Sequence, residues 1–117
     1  MSGLARFHDA QKGSYAAALS ELKSGRKTTH WMWFIFPQLT SLGRSATAWY
    51  YGISDLDEAR NYLADRVLRD RLNACVEAVL SHEGRAAASI MGPVDALKLR
   101  SSATLFRAAD PDGATGR

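Results

Sequence analysis

Cysteine is scarce in this chain of 117 residues, and its scarcity excludes two kinds of structure. Cys75 is the single cysteine, so no disulfide can form within the chain, as expected for a protein of a reducing compartment. A cysteine-based zinc site would need further cysteines that are not there. Because Cys75 lies in the apolar helical stretch LNACVEAVL, we interpret it as a core residue and not as a nucleophile.

Long hydrophobic runs are also missing. A helix that crosses a bilayer needs about 20 apolar residues in succession, and no segment of this sequence approaches that length. The N-terminal MSGLARFHDAQKG has scattered charges and no apolar stretch, so it is not a signal peptide. These observations predict a cytoplasmic protein with no membrane partner.

Charge of one sign is not concentrated anywhere in the sequence. The formal net charge is +3, but Lys and Arg are interspersed with Asp and Glu along both halves of the chain. Nucleic-acid-binding domains usually gather their cations into one patch. Because this sequence has no such patch, nucleic-acid binding is the least favoured function. No glycine-rich phosphate loop, HExxH or nucleophile-elbow pattern is present, so the residues identify neither a cofactor nor a reaction.

Apolar residues recur at helical spacing through most of the chain, and no set of strands is evident, so we predict an all-α fold. Residues 1–108 are expected to form one helical domain, and residues 109–117 a poorly ordered tail without apolar anchors. Gly13 and Ser14 are expected to separate two short helices, of which the second ends at Gly25. The later predicted helices are a two-turn helix from near His30 to Pro37, one in SATAWYYG, one capped by Ser54 or Asp55, one from Asp65 to Ser81, one in RAAASIMG, and one after Pro93 with a possible break at Ser101 and Ser102.

The longest run of large apolar side chains is WMWFIF, from Trp31 to Phe36. On a short helix these residues cover every side, which predicts a segment buried in the core. Burial of each side chain is worth roughly 1.5–3 kcal/mol. Trp31 and Trp33 point about 200° apart on a helix, so one can pack inward while the other lines a cleft.

Polar residues at both ends of this run, and in the segment KLRSS, predict a cleft for a small anionic ligand such as a nucleotide or sugar phosphate. His30 is expected at the N-terminus of a helix that Thr28 or Thr29 caps. The helix dipole there favours the neutral form of the imidazole. Arg44 is expected beside free backbone N–H groups at the start of the next helix. We expect His30, Arg44 and Lys98 to converge beside a tryptophan. The candidate ligand-binding residues are His30, Trp31, Trp33, Gln38, Arg44, Ser45, Lys98, Arg100, Ser101 and Ser102.

Each candidate also has a structural interpretation. His30 can be a hydrogen-bonded structural residue, and Ser45 can simply be an N-cap. KLRSS can be a solvated helix surface, with Leu97 facing inward. The alternative function is a protein-interaction module or a homodimer that uses a partly exposed aromatic segment. Whether the domain catalyses a reaction stays open.

Five blocks of the sequence resemble the DUF1810 family, a domain of unknown function. The blocks are RFHDAQ, YAAALSEL, HWMWFIFPQL, EARNYL and MGPVDALKLRSSATLF. The resemblance implies a small, mostly helical bacterial or fungal protein, and it implies no reaction. Some members are named calpastatin-like, but no residue here supports protease inhibition. Family members usually continue past Leu105 and Phe106 with a helical segment rich in aromatic and basic residues. The resemblance implies that this segment either is absent or is cut short in this sequence.

Overall fold

Seven α-helices and one turn of 3-10 helix make up the computed structural model, which describes residues 4–42, 45–82 and 84–110. No strand is formed in these ranges apart from a single parallel bridge between Leu39 and Ile53. The all-α prediction is therefore confirmed. The helices are α1 (Ala5–Ser24), α2 (Met32–Ile35), the 3-10 turn (Thr40–Leu42), α3 (Ala46–Tyr51), α4 (Leu56–Ala64), α5 (Arg66–Leu80), α6 (Ala87–Met91) and α7 (Pro93–Ala109).

The first helix is continuous where the sequence predicted two. Gly13 lies inside α1, exposed and far from any neighbour that a β-carbon could touch. A glycine weakens a helix interior by roughly 0.5–1 kcal/mol, which is too little to break a helix held by tertiary packing. Phe7, Gln11 and Leu22 belong to one buried stripe of α1, which packs against α5. Gly25 ends the helix with φ +80°, as predicted.

The aromatic segment is mostly buried, as predicted. Trp31, Ile35 and Phe36 are each no more than 2% exposed, while Trp33 is half-buried. The helix within the segment is one turn long instead of two, because Thr28 and Thr29 donate to the Glu21 carboxylate and do not cap it. His30 is exposed and precedes the helix, so its predicted place at a helix N-terminus is wrong.

Three side-chain N-caps start the middle helices. Ser45 Oγ accepts a hydrogen bond from the Ala48 backbone N–H, and Asp55 Oδ1 accepts one from Glu58. Asp65 Oδ1 accepts one from the backbone N–H of Leu68 at the start of α5. These caps confirm the helix starts read from the sequence, because each short side chain satisfies a backbone N–H that has no partner within its helix.

Two details of α7 differ from the prediction. The helix runs through Ser101 and Ser102 without a break, and Leu97 is 62% exposed instead of facing inward. The helix also includes Ala109, the first residue of the predicted tail. Residues 111–117 lie outside the described part of the chain.

The core lies where α1, α4, α5 and α7 enclose the aromatic segment. Its fully buried aromatic side chains include Phe7, Phe36, Tyr62 and Phe106. Cys75 is completely buried, and burial raises the pKa of its thiol to about 12, which agrees with a core role. Helical spacing also predicts that Leu56, Val67 and Leu80 face inward, but all three lie at the surface.

Candidate ligand-binding site

The Glu21 carboxylate fixes the segment that leads into the aromatic run. It accepts hydrogen bonds from the backbone N–H groups of Thr28 and Thr29 and from the Thr29 hydroxyl. It also accepts one from Trp31 Nε1 at 3.0 Å. Burial raises the pKa of this carboxyl, but the hydrogen bonds outweigh it and lower the pKa to about 2. The only polar atom of the Trp31 side chain is therefore already paired. Because the ring also lies in the core, it is not available as a stacking surface.

Trp33 lines a cleft on the other side of the segment. The single turn of α2 directs Trp33 toward α3 and α7, and Gln38 and Lys98 complete the polar part of the lining. Lys98 Nζ is 5.6 Å from the centroid of the Trp33 ring, within the range of a cation–π contact. The cleft encloses about 10 Å³, enough for one group the size of a water molecule. The sequence expectation that one tryptophan packs inward while the other lines a cleft agrees with this arrangement.

Two lysines beside the cleft share one carboxylate. Asp95 Oδ2 is 3.0 Å from Lys27 Nζ, and Asp95 Oδ1 is 3.7 Å from Lys98 Nζ. The Lys27 ammonium also lies 5.0 Å from the Trp31 ring centroid. These three groups carry one net positive charge in a partly desolvated place, which favours an anion.

A family model described as a protein of unknown function, DUF1810, matches residues 1–115, nearly the whole chain. The chain belongs to the DUF1810 family. Among solved structures, the conserved hypothetical protein Rv1873 from Mycobacterium tuberculosis is similar to it, with 47% sequence identity and a TM-score of 0.93. The match covers 97% of this chain and 81% of that one. None of the curated proteins searched matches the chain.

The segment KLRSS of this DUF1810 chain does not form one site. Lys98 lines the Trp33 cleft, and Ser102, one turn further along α7, lines a separate apolar cavity. Arg100 and Ser101 line a wide groove on another side of the helix. Neighbouring helical residues point in different directions, so the four polar residues of this five-residue segment cannot all face one ligand.

The remaining candidate residues lie outside the Trp33 cleft or outside the described residues. Ser45 is the N-cap of α3, which is its structural interpretation. His30 is exposed and lines none of these three cavities. Arg44 lies outside the described residues, so its convergence with His30 and Lys98 stays a prediction.

The sequence did not predict several residues in and beside the Trp33 cleft. Tyr51 and Gly52 line it, and Asp95 holds both lysines. The place of Gly52 could have been predicted, because a glycine at the end of a helix often marks a close backbone approach. Here a β-carbon would come within 2.6 Å of the Thr40 Cα.

Two further features, a metal-binding cluster and a membrane-spanning helix, are absent from the described ranges. No group of three or more His, Cys, Asp or Glu side chains there could hold a metal ion. No helix among those residues is long and apolar enough to cross a membrane.

Proposed function

We propose that this protein binds a small anionic ligand, such as a nucleotide or a sugar phosphate, at the cleft formed by Trp33, Gln38 and Lys98. The observation that supports it is the Lys98 ammonium, placed 5.6 Å from the Trp33 ring centroid at the edge of an otherwise largely apolar depression. A planar ring can stack on the half-buried indole while the ammonium meets its anionic group.

The size of the cleft limits how the ligand binds. A typical small-molecule pocket encloses roughly 300–1,000 Å³, whereas this cleft encloses about 10 Å³. One polar or anionic group enters the cleft, and the body of the ligand lies across its mouth against Trp33. Because little of the ligand surface is buried, we expect dissociation constants in the range of about 0.1–1 mM.

Gln38 is positioned to make the site selective. Its backbone carbonyl accepts a hydrogen bond from Ile53 N–H at 2.9 Å, which fixes the chain beside the cleft. Its side-chain amide offers both a donor and an acceptor, so it can pair with the edge of a base or with a sugar hydroxyl. A ligand with both a planar polar edge and an anionic group therefore fits better than inorganic phosphate alone.

Thermal unfolding tests the proposal in the presence of millimolar inorganic phosphate, adenosine monophosphate or glucose 6-phosphate. At ten times the dissociation constant a ligand adds about 1.4 kcal/mol of stability, or a rise of about 4–8 °C in Tm for a domain of this size. Lys98→Met keeps the length of the side chain and removes the charge, so it should abolish the rise. Lys12→Met is the matched control, because Lys12 is exposed on α1 and does not line the cleft. An unchanged Tm for the wild-type chain with all three compounds would contradict the proposal.

Self-association is a second candidate function, supported by a different surface from the one that the sequence suggested. The aromatic segment is buried against its own chain, so it is not offered to a partner. The groove lined by Leu42, Leu56 and Leu97 is open and encloses about 610 Å³, and each of these leucines is at least 40% exposed. Contiguous exposed apolar surface of this kind is typical of interaction sites. Light scattering at increasing concentration, with Leu97→Asp as the disrupting variant, measures whether a homodimer forms.

A further inference from the structure

A cavity of about 120 Å³ lies between α5 and α7, separate from the Trp33 cleft. Helix α5 packs mainly on α1 and α4, while α7 packs on α4 and α6, which leaves the two helices apart where they face each other. The cavity walls are apolar side chains of both helices, with Phe36 and Phe106 contributing aromatic rings. Leu80, 57% exposed, lies where the cavity approaches solvent.

Ser102 is the one polar residue among the described residues that line this cavity. It is 1% exposed, and its Oγ makes no hydrogen bond within the part of the chain that the structure describes. Buried hydroxyl groups in folded proteins are nearly always paired, because an unpaired one loses its hydrogen bonds to water without replacement. The unpaired Oγ therefore points to a partner outside the described part of the chain.

Water is a poor candidate for that partner. A buried water needs two to four polar neighbours, and the described lining residues offer one polar side chain. An ion is a poorer partner still, because none of these described residues carries a charge to meet it. Apolar cavities of about 150 Å³ in other proteins stay dry and take up benzene-sized molecules.

We propose that this cavity binds a small, uncharged and mainly apolar molecule that carries a single hydroxyl or carbonyl group, which pairs with Ser102 Oγ. The walls accept the apolar body, and the volume limits that body to about the size of one six-membered ring. The site does not depend on the anion proposed for the Trp33 cleft. Phe36 lines both spaces and separates them.

Phenol and benzene are the probes, because they differ by one hydroxyl. Binding to the full chain is measured by titration calorimetry, and the site is read from amide chemical shifts in α5 and α7. We expect phenol to bind the wild-type protein at least as tightly as benzene, since Ser102 replaces the hydrogen bond that the phenol hydroxyl gives up in water. In Ser102→Ala we expect phenol affinity to fall at least tenfold, because its hydroxyl is then buried without a partner, while benzene affinity changes less than twofold.

Two kinds of variant locate the effect. Ser101→Ala removes the adjacent hydroxyl, which lines a different groove, and should leave both affinities within twofold of wild type. Val76→Phe fills the cavity from α5 and should abolish binding of both probes, and Leu99→Phe repeats this test from the wall formed by α7. Circular dichroism confirms that each variant is folded. The proposal is overturned if neither probe binds at millimolar concentration, if phenol binds Ser102→Ala as tightly as wild type, or if both filled variants still bind the probes.

Discussion

Glu21→Ala should destabilise the protein, because the Glu21 carboxylate holds the segment that leads into the aromatic run. The substitution removes four hydrogen bonds, made to Thr28, Thr29 and the indole of Trp31. Trp31 is 1% exposed, so water reaches its indole N–H poorly, and loss of the acceptor costs about 1–3 kcal/mol. The exposed threonine groups find water instead and add about 1 kcal/mol, which gives a total of about 2–4 kcal/mol.

The same carboxylate predicts a pH dependence. Its pKa is lowered in the folded protein from an ordinary 4.5 to about 2, so the unfolded chain takes up the proton first. The stabilisation is therefore fully present above about pH 4.5 and is lost as the pH falls toward 2. Because the site is partly open to solvent, we expect the loss to be about 1–2 kcal/mol. Glu21→Gln should remove this dependence and keep one acceptor for the Trp31 indole.

Urea unfolding at pH 7 and at intervals down to pH 3, followed by circular dichroism, measures both effects. Glu77→Ala on α5 is the matched control, because Glu77 is exposed, and its loss should change the unfolding free energy by less than about 0.5 kcal/mol. If Glu21→Ala costs no more than Glu77→Ala, the carboxylate does not hold the aromatic segment, and the reasoning is wrong.

Further substitutions test the packing by urea unfolding. Phe34→Ala should lower the free energy of unfolding by about 3–5 kcal/mol. Phe34 is only 8% exposed, and the centroid of its ring lies 5.2 Å from that of Tyr51. Gly13→Ala should stabilise the protein by about 0.5–1 kcal/mol, since the added methyl meets nothing and strengthens α1. Gly52→Ala should cost about 1–3 kcal/mol, because a β-carbon there would lie 2.6 Å from a backbone atom of Thr40.

Each of these substitutions can fail in an informative way. A loss below about 1 kcal/mol for Phe34→Ala would mean that the aromatic segment is exposed and open to a partner, contrary to the burial described above. A destabilising Gly13→Ala would show that α1 is interrupted there after all. A neutral Gly52→Ala would mean that Thr40 and Gly52 do not approach each other closely.

Short-range signals in the sequence were sufficient to predict where the middle helices start. Ser45, Asp55 and Asp65 cap helices because a short polar side chain satisfies a neighbouring backbone N–H, which needs no knowledge of the tertiary structure. Gly13 misled the same reasoning, since its local cost to α1 is small beside the packing of the buried stripe on α5.

The candidate site was only partly predictable, because its parts come from distant segments. Trp33 and Gln38 come from one stretch of sequence, whereas Lys98 comes from α7. The structure places the Lys98 ammonium 5.6 Å from the centroid of the Trp33 ring. The role of Glu21 was not predicted, because its partners lie in the loop after α1, and no local pattern shows where a carboxylate on a helix will turn.

The most direct test of the proposed function is a titration of isotope-labelled protein with adenosine monophosphate, following the indole N–H resonances of the three tryptophans. Trp33→Phe assigns the resonance that matters. We predict that the Trp33 indole and the Gln38 side-chain amide shift with ligand concentration, that the buried Trp31 indole does not, and that Lys98→Met abolishes the shifts while Lys12→Met preserves them. No shift at the Trp33 indole at millimolar concentrations of adenosine monophosphate and of glucose 6-phosphate, or equal shifts in the Lys98→Met variant, would contradict the account.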